Sequence, residues 1–156
     1  MLYSMLRHAL ATLAYRGGKA VRDAPAGFAQ FQVAPGTRTP DEILAHVGDL
    51  LDWALSLVEG EHKWHDSVPL VWDREVARFF AGLSTIDKRL ASAPLDERMA
   101  EGLFQAPIAD ALTHVGQISM LRRLAGSPVR GENYFRATIV AGNVGPDQAA
   151  PAFEFD

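Results

Sequence analysis

The chain has 156 residues, 48% hydrophobic and 22% charged, which suits a single globular domain with a core of its own. Lys and Arg number 15 against 19 Asp and Glu, and the resulting formal charge of −4 argues against nucleic acid as the main partner. With no cysteine, disulfides, thiolate metal sites and a cysteine nucleophile are excluded, and any thiol chemistry needs a thiol from outside.

The first predicted helix covers about residues 2 to 23, with Leu2, Leu6, Ala9, Leu10 and Leu13 at helical spacing. Gly17-Gly18 weakens it by up to about 1 kcal/mol per glycine relative to alanine, so a bend or an end is expected there. The segment does not read as a signal peptide, because no basic start precedes its apolar stretch and Arg7 and His8 interrupt it. No window reaches the roughly 18 uninterrupted apolar residues of a membrane span. A soluble, cytoplasmic protein is the expectation. A long Pro- and Gly-rich link follows, in which Phe28 and Phe31 are expected to tuck back onto the helices.

The second helix has the clearest start in the chain. In TPDEILAHVGDLLDWALSLVEG, Thr39 suits the N-cap, Pro40 the first helical position and Glu42 the far half of a capping box. One arc of the helical wheel holds Ile43, Leu44, Val47, Leu50, Leu51, Trp53, Ala54, Leu55, Leu57 and Val58. The other holds Asp41, Glu42, Asp49, Asp52, Ser56 and Glu59, and is expected to face solvent; Gly60 ends the helix. His46 breaks the pattern by falling inside the apolar arc. Just beyond, EGEHKWHD gathers Glu59, Glu61, His62 and His65 in what reads as a solvated turn.

A third helix, about 70 to 91, carries Trp72, Val76, Phe79, Phe80, Leu83, Ile86 and Leu90 at three- and four-residue steps, with Pro94 just past its end. The fourth is predicted from Pro107 to Ala125, stopped by Gly126 with Pro128 beyond. Together these give an all-α four-helix bundle over residues 1–126. The long link between helices 1 and 2 allows a crossing topology. Residues 127–156 read as an irregular tail, with at most one short turn or strand, packed on the same domain.

The fourth helix raises the functional question. Asp110, His114 and Gln117 stand four and three residues apart, hence on one face, and share their stripe with Leu121. Ile118 and Leu124 flank that stripe, while Ser119, Arg122 and Arg123 fall on the opposite side. His46 is the matching polar residue inside the second helix's apolar arc. Two histidines and an aspartate converging in a bundle suit zinc, nickel or ferrous iron, with coordination positions left open for water or substrate. Gln117 would then steady a ligand, and Trp53, to one side of His46, would wall the pocket. Spacing alone leaves a second reading open: a structural trio of hydrogen-bonded polar side chains, the ordinary state of buried histidine.

The run HVGQISMLRRLAG resembles the His-x-Gly-Gln-Ile…Leu-Leu-Arg…Leu-Gly end of the DinB/YfiT-like family, and His46 early in the second helix fits it too. The resemblance covers about residues 40 to 126. It implies a four-helix bundle whose metal is held by His46, by Asp110 at the middle position and by His114. Most of the family has histidine where Asp110 stands, and the mycothiol-dependent maleylpyruvate isomerase branch has a glutamate. Implied further are a small-molecule substrate, a low-molecular-weight thiol cosubstrate, a transferase, isomerase or metal-water hydrolase activity, and a homodimer. The alternative is a non-enzymatic dimeric bundle or small-ligand binder.

Overall fold

The computed structural model describes residues 2–93 and 95–155, so Pro94 lies outside the described residues. The described chain is almost wholly helical. It contains α1 (Leu2–Val21), α2 (Pro40–Val58), α3 (Trp72–Ser92) and a last helix in two pieces, α4 (Glu97–Leu103) and α5 (Ala109–Leu124). One wide π turn, Phe104–Ile108, joins α4 to α5. Both α1 and α2 pack against α3 and α5, so these consecutive helices occupy opposite corners. The link over residues 22–39 carries the chain across. None of the described helices is long and apolar enough to cross a membrane.

The core runs along the axis between these helices. Leu10 and Leu13 of α1, Leu44 and Leu51 of α2, Phe79, Leu83 and Ile86 of α3, and Ile108 and Ile118 of the last helix are all fully enclosed. Gly17 and Gly18 neither bend nor end α1, which continues to Val21. Packing supplies the reason: a Cβ at Gly17 would lie 2.5 Å from the ring tip of Phe79. The missing side chain is what lets α1 and α3 approach.

Helix ends follow local chemistry. At the start of α2 the Glu42 carboxylate accepts the Thr39 N–H at 2.8 Å, while the Thr39 hydroxyl turns to Asp41. Gly60 (φ 79°) and Gly126 (φ 79°) close Schellman-type ends, with Glu61 N–H on Ser56 O at 2.7 Å and Ser127 N–H on Arg122 O at 2.9 Å. The last helix begins earlier than its sequence suggests, at Asp96, whose side chain accepts the Met99 N–H at 2.7 Å. Pro107 therefore lies inside a helix. It lacks an N–H and its ring crowds the preceding turn, and the π turn accommodates both.

Residues after Gly126 form more than a single strand. Gly131–Glu132 pairs antiparallel with Glu154–Phe155. Glu132 is buried against α1, where it accepts from the Tyr15 hydroxyl at 2.6 Å and from Lys19 Nζ at 2.8 Å. Burial, reinforced by the Glu132 carboxylate, pushes the Tyr15 phenol well above its usual pKa. A buried carboxylate met by two donors costs little and ties the tail to the bundle.

Candidate metal centre

The polar arc of α2 is only partly a solvent face: Glu42 and Glu59 are exposed, whereas Asp41, Asp49 and Ser56 are buried. The link between α2 and α3 lies extended along it. Ser56 Oγ accepts the Lys63 N–H at 3.2 Å, and Asp49 accepts the Ser67 N–H at 2.9 Å and its hydroxyl at 2.6 Å. Arg78 of α3 bridges Asp49 and Asp52, at 2.7 Å to each. Burial works against the Asp49 charge, yet the Ser67 and Arg78 donors outweigh it and hold the carboxyl below its usual range. His65 Nε2 also comes within 3.3 Å of Asp49, and Asp49, Asp52 and His65 could converge on a cation. The Arg78 guanidinium already meets both carboxylates, so this cluster is a closed ion-pair network. Of EGEHKWHD only His65 joins it, while Glu61 pairs with Lys63 in solvent.

Pinning this link also delivers Trp64. Its ring stands edge-on to His46 at 5.5 Å and to Trp53 at 5.9 Å between centroids. Trp53 is half-buried behind Trp64, which forms the wall beside His46. An aromatic residue in an otherwise polar turn was the only sequence signal for it.

His46, Asp110 and His114 come together. His46 Nε2 and His114 Nε2 each lie 3.6 Å from a different oxygen of Asp110. The two imidazole rings are 4.7 Å apart between centroids, almost perpendicular. One donor atom from each of the three residues falls within 4.8 Å of the others. The side chains of His46 and His114 are 20% and 13% exposed and that of Asp110 is 47% exposed, so the centre opens to solvent on the aspartate side.

The centre sits at the rim of the bundle rather than in its core. On α5 the enclosed stripe is Ala111, Val115, Ile118, Leu121 and Arg122, one step round from the predicted one, and Gln117 and Leu124 are exposed. Arg122 accounts for the offset. Its guanidinium, expected in solvent, is buried beneath the end of α1 and donates to the carbonyls of Ala20 (3.0 Å), Arg22 (2.8 Å) and Asp23 (3.3 Å). One cation thus satisfies acceptors that a helix C-terminus leaves open.

Gln117 nevertheless touches the centre. Its Oε1 lies 2.7 Å from His114 Nδ1, which places a ring proton on Nδ1, so that in the neutral ring the Nε2 lone pair faces Asp110. Acceptor then faces acceptor across 3.6 Å, an arrangement that a proton or a metal cation relieves. Burial holds the His46 imidazole below its ordinary pKa, with His114 and Arg38 acting in the same direction and Asp110 opposing. Neutral imidazole is the form that binds metal. The donor set fits a divalent transition ion: around one, ligand atoms at about 2.0–2.2 Å need only draw together slightly from their present spacing.

A polar cleft runs from His46 past Glu42 and Arg38 to Ser67. Arg38 had no distinguishing signal in the sequence, since a lone arginine in a Pro- and Gly-rich link is ordinary. No family model, curated protein or solved structure matches the chain.

Proposed function

We propose that the chain is a metalloenzyme of the DinB/YfiT-like kind, with a divalent transition metal held by His46, Asp110 and His114. The observation that carries the reading is the convergence of two imidazole Nε2 atoms on one carboxylate, with Gln117 fixing the tautomer of His114. Zinc, nickel and ferrous iron all suit two imidazoles and a carboxylate. When bound, the metal supplies the Lewis acidity that makes a thiol or water nucleophilic at neutral pH. The chain has no thiol of its own, so a low-molecular-weight thiol would be a cosubstrate in a transferase or isomerase, while water would make a hydrolase.

The chain's own residues divide the remaining work. Gln117 orients His114, and Trp64 covers one side of His46 and limits water there. The exposed flank of Asp110 leaves the approach for substrate. A non-enzymatic bundle with a structural polar trio is the competing reading. It draws on the same pair of 3.6 Å contacts, which a protonated imidazole would also make.

Metal analysis separates the two. After chelation and reloading, the wild-type protein should take up about one equivalent of zinc or nickel and melt at a higher temperature with it. His46→Ala, Asp110→Asn and His114→Ala should each lose both effects. A wild-type protein that binds no transition metal, or whose melting ignores it, removes the enzyme reading.

A further inference from the structure

A second cleft adjoins the metal centre, between the N-terminal half of α2, the C-terminal half of α5 and the link before α2. Val33, Ile43, Met120 and Leu121 give it apolar walls, and Arg38 and Gln117 stand at its edge. Its volume is about 660 Å³, inside the range of about 300–1,000 Å³ that takes a small molecule. Arg38 is the only charged residue among the described residues that line it.

The Arg38 side chain is exposed. Among the described residues it has no hydrogen-bond or ion-pair partner. Glu42, whose carboxylate feels the Arg38 charge, is turned instead to the Thr39 N–H at 2.8 Å. The turn presenting Arg38 is closed on itself, with Gln32 Nε2 on Thr37 O at 2.9 Å and Thr37 Oγ1 on Ala34 O at 2.7 Å. Arg38 also lines the polar cleft that contains His46, so it stands where the two clefts meet. Glu42 and Asp66 also line that neighbouring cleft, and their charges repel an anion and direct it to the apolar side.

One guanidinium beside an open apolar groove, with Val33 and Met120 exposed along it, selects a single carboxylate on an apolar body. It grips a carboxylate through two parallel N–H bonds, and a multiply charged anion would find no second cation. We propose that this cleft binds a small organic carboxylate, with its charged end on Arg38 and its apolar body between Ile43 and Met120. As the substrate class of the metal centre this rests on the metal reading; as a binding site it stands on the cleft alone.

Isothermal titration of the full chain with octanoate, and with 1-octanol as a neutral ligand of the same apolar body, tests it. Both titrations are run on chelated and on zinc-loaded protein. Octanoate should bind about tenfold more tightly than octanol, the order expected for one charge-assisted contact. Arg38→Gln, an exposed change, should abolish that preference at unchanged melting temperature, and Met120→Glu should expel octanoate. Equal binding of the two ligands by wild type, or a preference that survives Arg38→Gln, overturns the proposal. So does a sedimentation dimer that Met120→Glu dissociates, since a second copy would then fill the cleft. If wild type takes no zinc but keeps an Arg38-dependent preference for octanoate, the metal reading falls and the carboxylate site stands.

Discussion

Gln117 Oε1 lies 2.7 Å from Nδ1 of His114, and this contact decides which imidazole nitrogen faces Asp110. Gln117 is itself exposed and adds little to the core. Gln117→Leu should therefore weaken zinc binding by about 10–100-fold, the usual cost of removing a partner that orients a metal ligand. The melting temperature of the metal-free protein should stay nearly constant. Competition against a chromophoric chelator, beside a thermal melt, checks both halves.

His46 gives the centre a pH signature. Burial, His114 and Arg38 depress its folded-state pKa, so the folded protein binds its proton less readily than the unfolded chain does. The associated stability is fully present above the unfolded value of about 6.5 and is lost as pH falls from there through the lower folded value. Metal-free wild type should lose melting temperature on acidification below about pH 6.5. His46→Gln should lose less over the same window. Parallel slopes for the two proteins would contradict this.

Adjacent arginines should behave oppositely. Arg122 is buried and donates to three carbonyls at the end of α1, whereas Arg123 is exposed. Arg122→Met strands those acceptors and should cost about 2–4 kcal/mol. Arg123→Met should fall within about 0.5 kcal/mol of wild type. Urea unfolding of the two variants makes the comparison.

Two helical glycines offer a similar contrast. An added Cβ at Gly17 meets the Phe79 ring at 2.5 Å, while at Gly116 nothing lies within 4 Å. Gly17→Ala should destabilise by about 1–3 kcal/mol through overpacking, despite alanine's better helix propensity. Gly116→Ala should be neutral or stabilise by up to about 1 kcal/mol. Thermal melts give both signs, and a stabilising Gly17→Ala would show that α1 and α3 are less tightly apposed than described.

Periodicity in the sequence determined the helical class, the N-terminal start of α2 at Thr39-Pro40 and its glycine stop, because these depend on contacts within a few residues. It also marked His46, Asp110 and His114, since polar side chains inside apolar arcs are visible on a helical wheel. What covers each surface depends on distant chain, and only the tertiary structure decided that. Residues 59–71 fold over the acidic arc of α2, bury Asp49 against Arg78 and carry Trp64 to His46. The pull of α1's open carbonyls on Arg122 rotates the enclosed stripe of α5 by one residue and moves the polar trio to the rim. Pro107 looked like a helix start, yet the π turn carries the helix through it from Asp96. Local propensity sets where a helix can form; the neighbours it meets set which face it buries.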